Sequence, residues 1–136
     1  MADLVNLDYG AWEGLSKEEC VARDPDSWWA YAHDPEGAMC PSGEPLASAA
    51  DRAVTALRLL GRRHAGEAVA AVSHGVMLRL AVLRVCGAPP GGWQFKVPTG
   101  SALEFAVGPS GISLMTPLAG ASPDPYKHAA APTVPA

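Results

Sequence analysis

Ala68-Val69-Ala70-Ala71-Val72-Ser73-His74-Gly75-Val76-Met77-Leu78-Arg79 contains the change of period on which the fold turns. Residues 68–72 form a short, continuous apolar run, the pattern of a strand buried on both faces. Ser73-His74-Gly75 interrupts it at once. Residues 76–85 then read as a helix, stopped by Gly87, Pro89 and Pro90. Upstream, Leu46, Ala50, Val54, Leu57 and Leu60 recur at three- and four-residue spacing, which gives a helix over residues 46–64 one apolar face. Arg52, Arg58, Arg62 and Arg63 fall mostly off that face and read as solvated. Helix, strand, tight turn and helix across residues 46–85 make the core of an α/β layered fold.

The turn is also where chemistry is expected. In open α/β sheets, ligands bind beyond the carboxyl ends of the strands. A helix beginning at Gly75 offers free N–H groups and a partial positive charge, which suit a phosphate. His74 beside them can hold a phosphoryl oxygen when cationic or move a proton when neutral. Ser73, Gly75 and Val76 complete the candidate binding turn.

Further out, residues 101–107 and 112–118 alternate apolar and polar side chains around Gly108-Pro109-Ser110-Gly111, the signature of a β-hairpin. Residues 119–136 are Ala/Pro-rich and read as a mobile tail outside a domain of residues 1–118. Towards the N-terminus, Ser16 with Glu19 forms a capping box that starts a short helix at Lys17. That helix ends near Asp24-Pro25. Asp26 or Ser27 is expected to cap a second helix carrying Trp28, Trp29 and Tyr31, which form either a lid or a small satellite core.

Composition bounds the function. The chain has 136 residues, 49% of them apolar and 18% charged, enough for one packed domain. A net charge of −4 argues against nucleic acid and anionic membranes as partners. No apolar run is long enough to span a bilayer, and the first residues carry neither a basic region nor a long apolar one. A cytoplasmic location is therefore expected. Cys20, Cys40 and Cys86 are far apart and fit no metal-binding spacing, so they read as idle thiols, and neither metal nor other cofactor is expected.

Four blocks, in order, resemble the histidine phosphatase (phosphoglycerate mutase-like) superfamily. Leu7-Asp8-Tyr9-Gly10-Ala11-Trp12-Glu13-Gly14-Leu15-Ser16 is similar to its "DxGxWEGL(S/T)" segment. Gly43-Glu44-Pro45-Leu46 with Arg52 resembles "GGES…R". Val72-Ser73-His74-Gly75 with Leu78-Arg79 resembles "VSHG…LR", and Pro98-Thr99-Gly100-Ser101-Ala102-Leu103 fits the stretch before the penultimate strand. The resemblance implies a three-layer phosphoglycerate mutase-like fold, here truncated, with a mostly parallel sheet flanked by helices. It implies phosphoryl transfer through a phosphohistidine, with His74 as the second histidine of the phosphate pocket. It also makes Trp12 and Glu44 candidate substrate-binding residues. Each has a structural alternative: loop packing for Trp12, and for Glu44 a carboxylate favouring the start of the long helix. Arg79 reads as a surface or packing residue within reach of phosphate.

The sequence departs from the family pattern in definite places. The nucleophilic histidine belongs to an Arg-His-Gly motif, and none occurs in these 136 residues. The resemblance places that segment before Met1 and makes this chain the C-terminal part. Asn6 stands where the family carries a glutamate proton donor, and Asn is no acid. Pro45 replaces a serine, removing a hydroxyl cap while suiting a first helical turn. Three functions stay open: a phosphate-monoester hydrolase or mutase impaired in this form; a family-derived binding or regulatory module or repurposed enzyme; and a half-enzyme completed by another chain. The expected ligand is phosphate or a small phosphorylated molecule. A central strand left unpaired at residues 68–72 exposes an apolar, uncharged edge. A second copy, a complementing chain or residues 1–9 are expected to cover it.

Overall fold

A computed structural model of the chain describes residues 1–89 and 92–118. Its elements are helices α1 (Lys17–Arg23), α2 (Pro25–His33), α3 (Leu46–Arg63) and α4 (Gly75–Cys86), followed by strands β1 (Phe105–Gly108) and β2 (Gly111–Leu114). Single 3-10 turns lie at Ala2–Leu4 and Gly10–Trp12. No helix among the described residues is long and apolar enough to cross a membrane. The proposed tail, residues 119–136, lies outside the described residues, as does Pro90.

Local signals set the helix ends. Ser16 Oγ accepts from the Glu19 amide at 3.2 Å and the Glu19 carboxylate accepts from the Ser16 amide at 2.8 Å, so the capping box is formed and α1 starts at Lys17. The cap of α2 differs from expectation. It is Asp24, whose carboxylate accepts from the Ser27 amide at 3.0 Å and the Ser27 hydroxyl at 2.7 Å. Pro25, with its fixed φ and absent N–H, takes the first helical position, which puts the cap at Asp24, two residues before Asp26. Pro45 stands just outside α3 as its N-cap, and no described side chain caps that helix. Gly87, at φ 77°, ends α4.

The core lies between α3 and α4. Buried Ala49, Ala50, Ala53 and Ala56 keep that face of α3 shallow, so α4 seats Val76, Met77, Leu80 and Ala81 close against it. Leu46 and Leu80 are completely buried, and each such side chain contributes about 1.5–3 kcal/mol. The hairpin is antiparallel, pairing Phe105 with Leu114 and Gly108 with Gly111. β1 packs on α3 and β2 on α4.

Two loops are joined through their backbones. The Ala11 amide donates to Pro41 O at 2.7 Å and the Glu44 amide to Asp8 O at 3.2 Å. The approach is so close that a Cβ on Gly10 would strike Pro41 O and the Gly43 amide, and a Cβ on Gly43 would strike Asp8 O. Two of the sequence blocks, far apart in the chain, are thus one structural unit.

The expected strand at residues 68–72 is not formed. The run is irregular and exposed, with Val69 at 48% and Val72 at 92% exposure. Among the described residues, no backbone hydrogen bond joins residues 68–73 to another segment. Among the described residues, the sheet present is the two-stranded antiparallel hairpin, not a mostly parallel one. The reason is physical: a strand is completed by a neighbour, and the described residues supply none here. Residues 1–9 do reach this region, where Ser73 Oγ donates to Leu4 O at 2.8 Å, but they build no ladder.

Two measurements check this description. In dilute protein, amides 69–73 should exchange with deuterium at nearly unstructured rates while amides in the middle of α3 exchange orders of magnitude more slowly. Protection of 69–73 under dilution would show that another strand pairs them. Gly43→Ala should cost at least about 2 kcal/mol, because backbone has to move. Gly108→Ala, where nothing lies within 4 Å of the added methyl, should change stability by less than about 0.5 kcal/mol.

Candidate functional site

The turn at residues 73–76 forms because α4 begins abruptly. His74 is its N-cap, with φ −122° and ψ 152°, and its carbonyl accepts the first helical bond from Leu78 N at 3.0 Å. Val76 and Met77, 4% and 1% exposed, anchor the first turn in the core. No described side chain caps the helix. Among the described residues, the amides of Gly75, Val76 and Met77 therefore have no partner at the positive end of the helix dipole. The His74 side chain is exposed beside them. Val76 can offer a ligand its amide, since its side chain is buried. The Ser73 hydroxyl is engaged by Leu4 O. A Cβ on Gly75 would meet just Val97 O, at 3.9 Å, so open space rather than crowding surrounds this residue.

Glu44 lies in a different arrangement. Its carboxylate accepts from Arg52 Nη2 at 2.6 Å, from Arg52 Nε at 3.2 Å and from the Asp8 amide at 3.0 Å. Arg52 is thus half-buried rather than solvated. The same guanidinium donates to the carbonyls of Asp3, Val5 and Asn6 at 2.8–2.9 Å. Arg52 falls eight residues after Glu44, so the side chain folds back over the start of α3. Asn6 uses its side-chain oxygen to accept from the Leu7 amide at 2.9 Å.

Trp12 sits elsewhere again, 6% exposed, in an aromatic cluster. Its ring lies 5.7 Å from those of both Trp28 and Tyr31. Tyr31 meets Trp93 edge-on at 5.2 Å, and Trp93 Nε1 donates to Tyr31 O at 2.9 Å. This cluster walls a cavity of about 450 Å³ whose lining also includes Arg79, Gln94 and Lys96. Arg79 packs over Trp93, 5.7 Å from the ring centre. Burial raises the pKa of the Tyr9 and Tyr31 phenols and pushes the Cys40 thiol up to about 12, so all three are neutral near pH 7.

Of the residues singled out in the sequence, Ser73, His74, Gly75 and Val76 share one turn. Glu44 belongs to the Arg52 tie and Trp12 to the aromatic cavity. Trp93, Gln94 and Lys96 carried no recognisable spacing. Their signal was composition alone: polar and aromatic residues in a loop between two proline-containing stretches. Among the described residues, no group of three His, Cys, Asp or Glu side chains gathers to hold a metal.

The Glu44–Arg52 pair makes stability depend on pH. Arg52 hydrogen bonds, helped by the Asp8 amide and opposed by desolvation, hold the Glu44 carboxyl below its ordinary value of 4.5. A depressed carboxyl stabilises the fold fully above the unfolded value, and that stabilisation is lost as pH falls through the folded one. Glu44→Gln should lower stability at neutral pH by about 1–3 kcal/mol. It should also flatten the loss of melting temperature below pH 4.5. An unchanged acid limb in thermal melts of the variant would assign that limb to other carboxylates.

The histidine phosphatase superfamily (branch 1) profile matches residues 1–117. An acid phosphatase of Mycobacterium tuberculosis is 34% identical over 99 residues, covering 72% of this chain and 46% of that protein. A metal-independent phosphoserine phosphatase of Arabidopsis thaliana is 32% identical over 66% of this chain and 38% of its own length. Phosphoserine phosphatase 1 of Hydrogenobacter thermophilus is 29% identical over 62% of this chain and 40% of its own length. The chain therefore matches less than half the length of each of these relatives. With its profile matched from the first residue to the end of the hairpin, and with the paired glycine loops and the His74 turn in place, the chain belongs to the histidine phosphatase superfamily, branch 1.

Proposed function

We propose that the His74 turn binds the phosphoryl oxygens of a small phosphate monoester, and that the protein acts in phosphate-monoester hydrolysis or transfer. One observation carries this reading: among the described residues the amides of Gly75, Val76 and Met77 have no partner, and exposed His74 caps them at the start of a 12-residue helix. A tetrahedral oxyanion matches several donors converging on one point, and the helix dipole favours its charge. His74 then donates to a phosphoryl oxygen or carries the proton that leaves with the alcohol. The relatives' names, acid phosphatase and phosphoserine phosphatase, support this substrate class.

Phosphoryl transfer through a phosphohistidine needs a nucleophile in line with phosphorus as well as a donor. Of the other described histidines, His33 contacts Trp29 O at 2.9 Å and His64 pairs with Glu67 at 2.9 Å, so each has a partner of its own. We infer that full activity requires residues 68–73 to be paired by another strand, from a preceding segment of the same protein, a second copy or a complementing chain, which fixes the turn and completes the donor set. The free thiols of buried Cys20 and Cys40 favour a reducing, cytoplasmic setting.

Titration with inorganic phosphate, followed by amide and imidazole NMR signals, tests the reading. The expected result is a saturable shift at Gly75, Val76, Met77 and the His74 ring, weakened several-fold in His74→Ala. Turnover of an aryl phosphate by the 136-residue chain alone should stay near background. Saturation with these signals unmoved would overturn the site. Robust turnover abolished by His74→Ala would instead make His74 the nucleophile.

A further inference from the structure

We propose that the exposed basic face on the C-terminal half of α3, together with the groove that Arg58 borders, docks an extended acidic segment of a partner protein. The surface lies outside the His74 turn and does not depend on phosphoryl chemistry there.

The net charge of −4 hides a segregation. Residues 1–51 hold eleven Asp and Glu against two Lys and Arg, whereas residues 52–136 hold three against eight. Of the later cations, Arg52 pairs with Glu44, Arg84 pairs with Glu36 and Asp51, and Arg79 packs over Trp93. Arg58, Arg62 and Arg63 are exposed, and among the described residues they have neither a hydrogen-bond nor an ion-pair partner. Glu67, the one acid between Asp51 and Glu104, is engaged by His64 at 2.9 Å.

Helix electrostatics explain part of this pattern. Arg62 and Arg63 sit in the last turn of α3, where the negative end of the helix dipole favours cations. Arg58 lies a turn earlier, four residues before Arg62, so two like charges repel along one face. A partner carrying carboxylates converts that repulsion into shared attraction. Arg58 and Arg62 stand about 6 Å apart along the helix axis. Side chains two residues apart on an extended chain share one side at about 6.6–6.8 Å. An acidic segment in that conformation therefore presents its charges at a matching interval.

The groove beside Arg58 selects the kind of anion. Its volume is about 370 Å³, and Val54, Val85 and Ile112 give it apolar surface between α3, α4 and β2. Asp51 and Arg84, also in its lining, lie 2.9 Å apart and neutralise each other, which leaves Arg58 as the unbalanced charge. An apolar side chain next to the acidic run fits this groove, and inorganic polyphosphate would leave it wet. Neither α3 nor the groove lining contains an aromatic ring on which a nucleic-acid base could stack. Charge complementarity with a protein segment is what remains.

The probe is a dye-labelled peptide of alternating glutamate and alanine closed by one leucine, read by fluorescence anisotropy and by amide NMR shifts over residues 55–63. Its comparisons are the same peptide with glutamine for glutamate, inorganic triphosphate and single-stranded oligothymidylate. The acidic peptide is expected to bind saturably, move those amides and weaken as salt is raised. The glutamine peptide should bind at least about tenfold more weakly. Arg58→Gln and Arg62→Gln should each weaken the acidic peptide several-fold with unchanged melting. Arg23→Gln, which removes a positive charge from an exposed position on α1, should leave affinity unchanged. Equal binding of the acidic and glutamine peptides, or an equal effect of Arg23→Gln and Arg58→Gln, would overturn the proposal. Triphosphate or the oligonucleotide moving the same amides as tightly would make this a general anion surface and overturn it too. So would self-association of the free protein that Arg58→Gln abolishes, which would assign the face to a second copy. If Arg58→Gln loses its helical circular dichroism, Arg62→Gln decides.

Discussion

The Arg52 guanidinium is the contact on which the arrangement of the N-terminal half depends. From α3 it reaches the carbonyls of Asp3, Val5 and Asn6, both oxygens of Glu44, and the sulfur of Met77 on α4 at 3.7 Å. Each charge-assisted bond contributes about 1.5–3 kcal/mol where geometry is good. An apolar side chain there would leave three carbonyls without these donors. Glu44 in turn accepts from the Asp8 amide, which ties the guanidinium to the glycine-paired loops. The N-terminal residues, those loops and both core helices are thus positioned by one charge. Because Ser73 bonds to Leu4 O, the candidate turn is positioned by it as well, at one remove.

That dependence explains which parts of the fold were legible. Elements set by near neighbours read correctly. The Ser16–Glu19 box, the apolar period of α3, the Gly87 stop and the turn of the hairpin at Gly108 to Gly111 each need a few adjacent residues, although the strands expected over 101–107 and 112–118 form only over Phe105–Gly108 and Gly111–Leu114. The cap of α2 was misplaced because Pro25 was read as an end of α1, when it also fills the first position of the next helix. Arg52 was read as solvated because helical spacing tells which way a side chain leaves the axis. It does not tell which carbonyls, some 46–49 residues away, will be waiting.

Residues 68–72 show the limit most clearly. Val69 and Val72 are β-branched and favour extended backbone, and that preference is local. Membership of a sheet is a pairing, and pairing is supplied by another segment. The sequence therefore announced a strand while the described residues leave Val72 92% exposed. An exposed apolar edge of this kind costs little conformationally and carries no Lys, Pro or bulge to deter pairing. It is the segment of the described chain with most to gain from a neighbour. Ordering it would also steady the His74 turn that directly follows.

The candidate site divides the same way. Ser73, His74, Gly75 and Val76 are consecutive, so a strand-to-helix reading found the turn. The aromatic cavity draws on residues near positions 9–31, on Arg79 and on residues 94–97, and no spacing encodes that meeting. What brings them together is Trp93, 2% exposed, which donates to Tyr31 O and supports Arg79. Arg79 follows Gly75 by four residues, one helical turn, so the two lie on the same side of α4. Val97 is near both: it lines the cavity together with Arg79, and its carbonyl oxygen is 3.9 Å from where a Cβ on Gly75 would stand. One short helix therefore carries, among the described residues, unpartnered amides at its start and, one turn later, a guanidinium over Trp93 that lines a walled cavity. Both features favour negative charge in a chain that is acidic overall, and the core side chains of Val76, Met77 and Leu80 hold the two at a fixed separation.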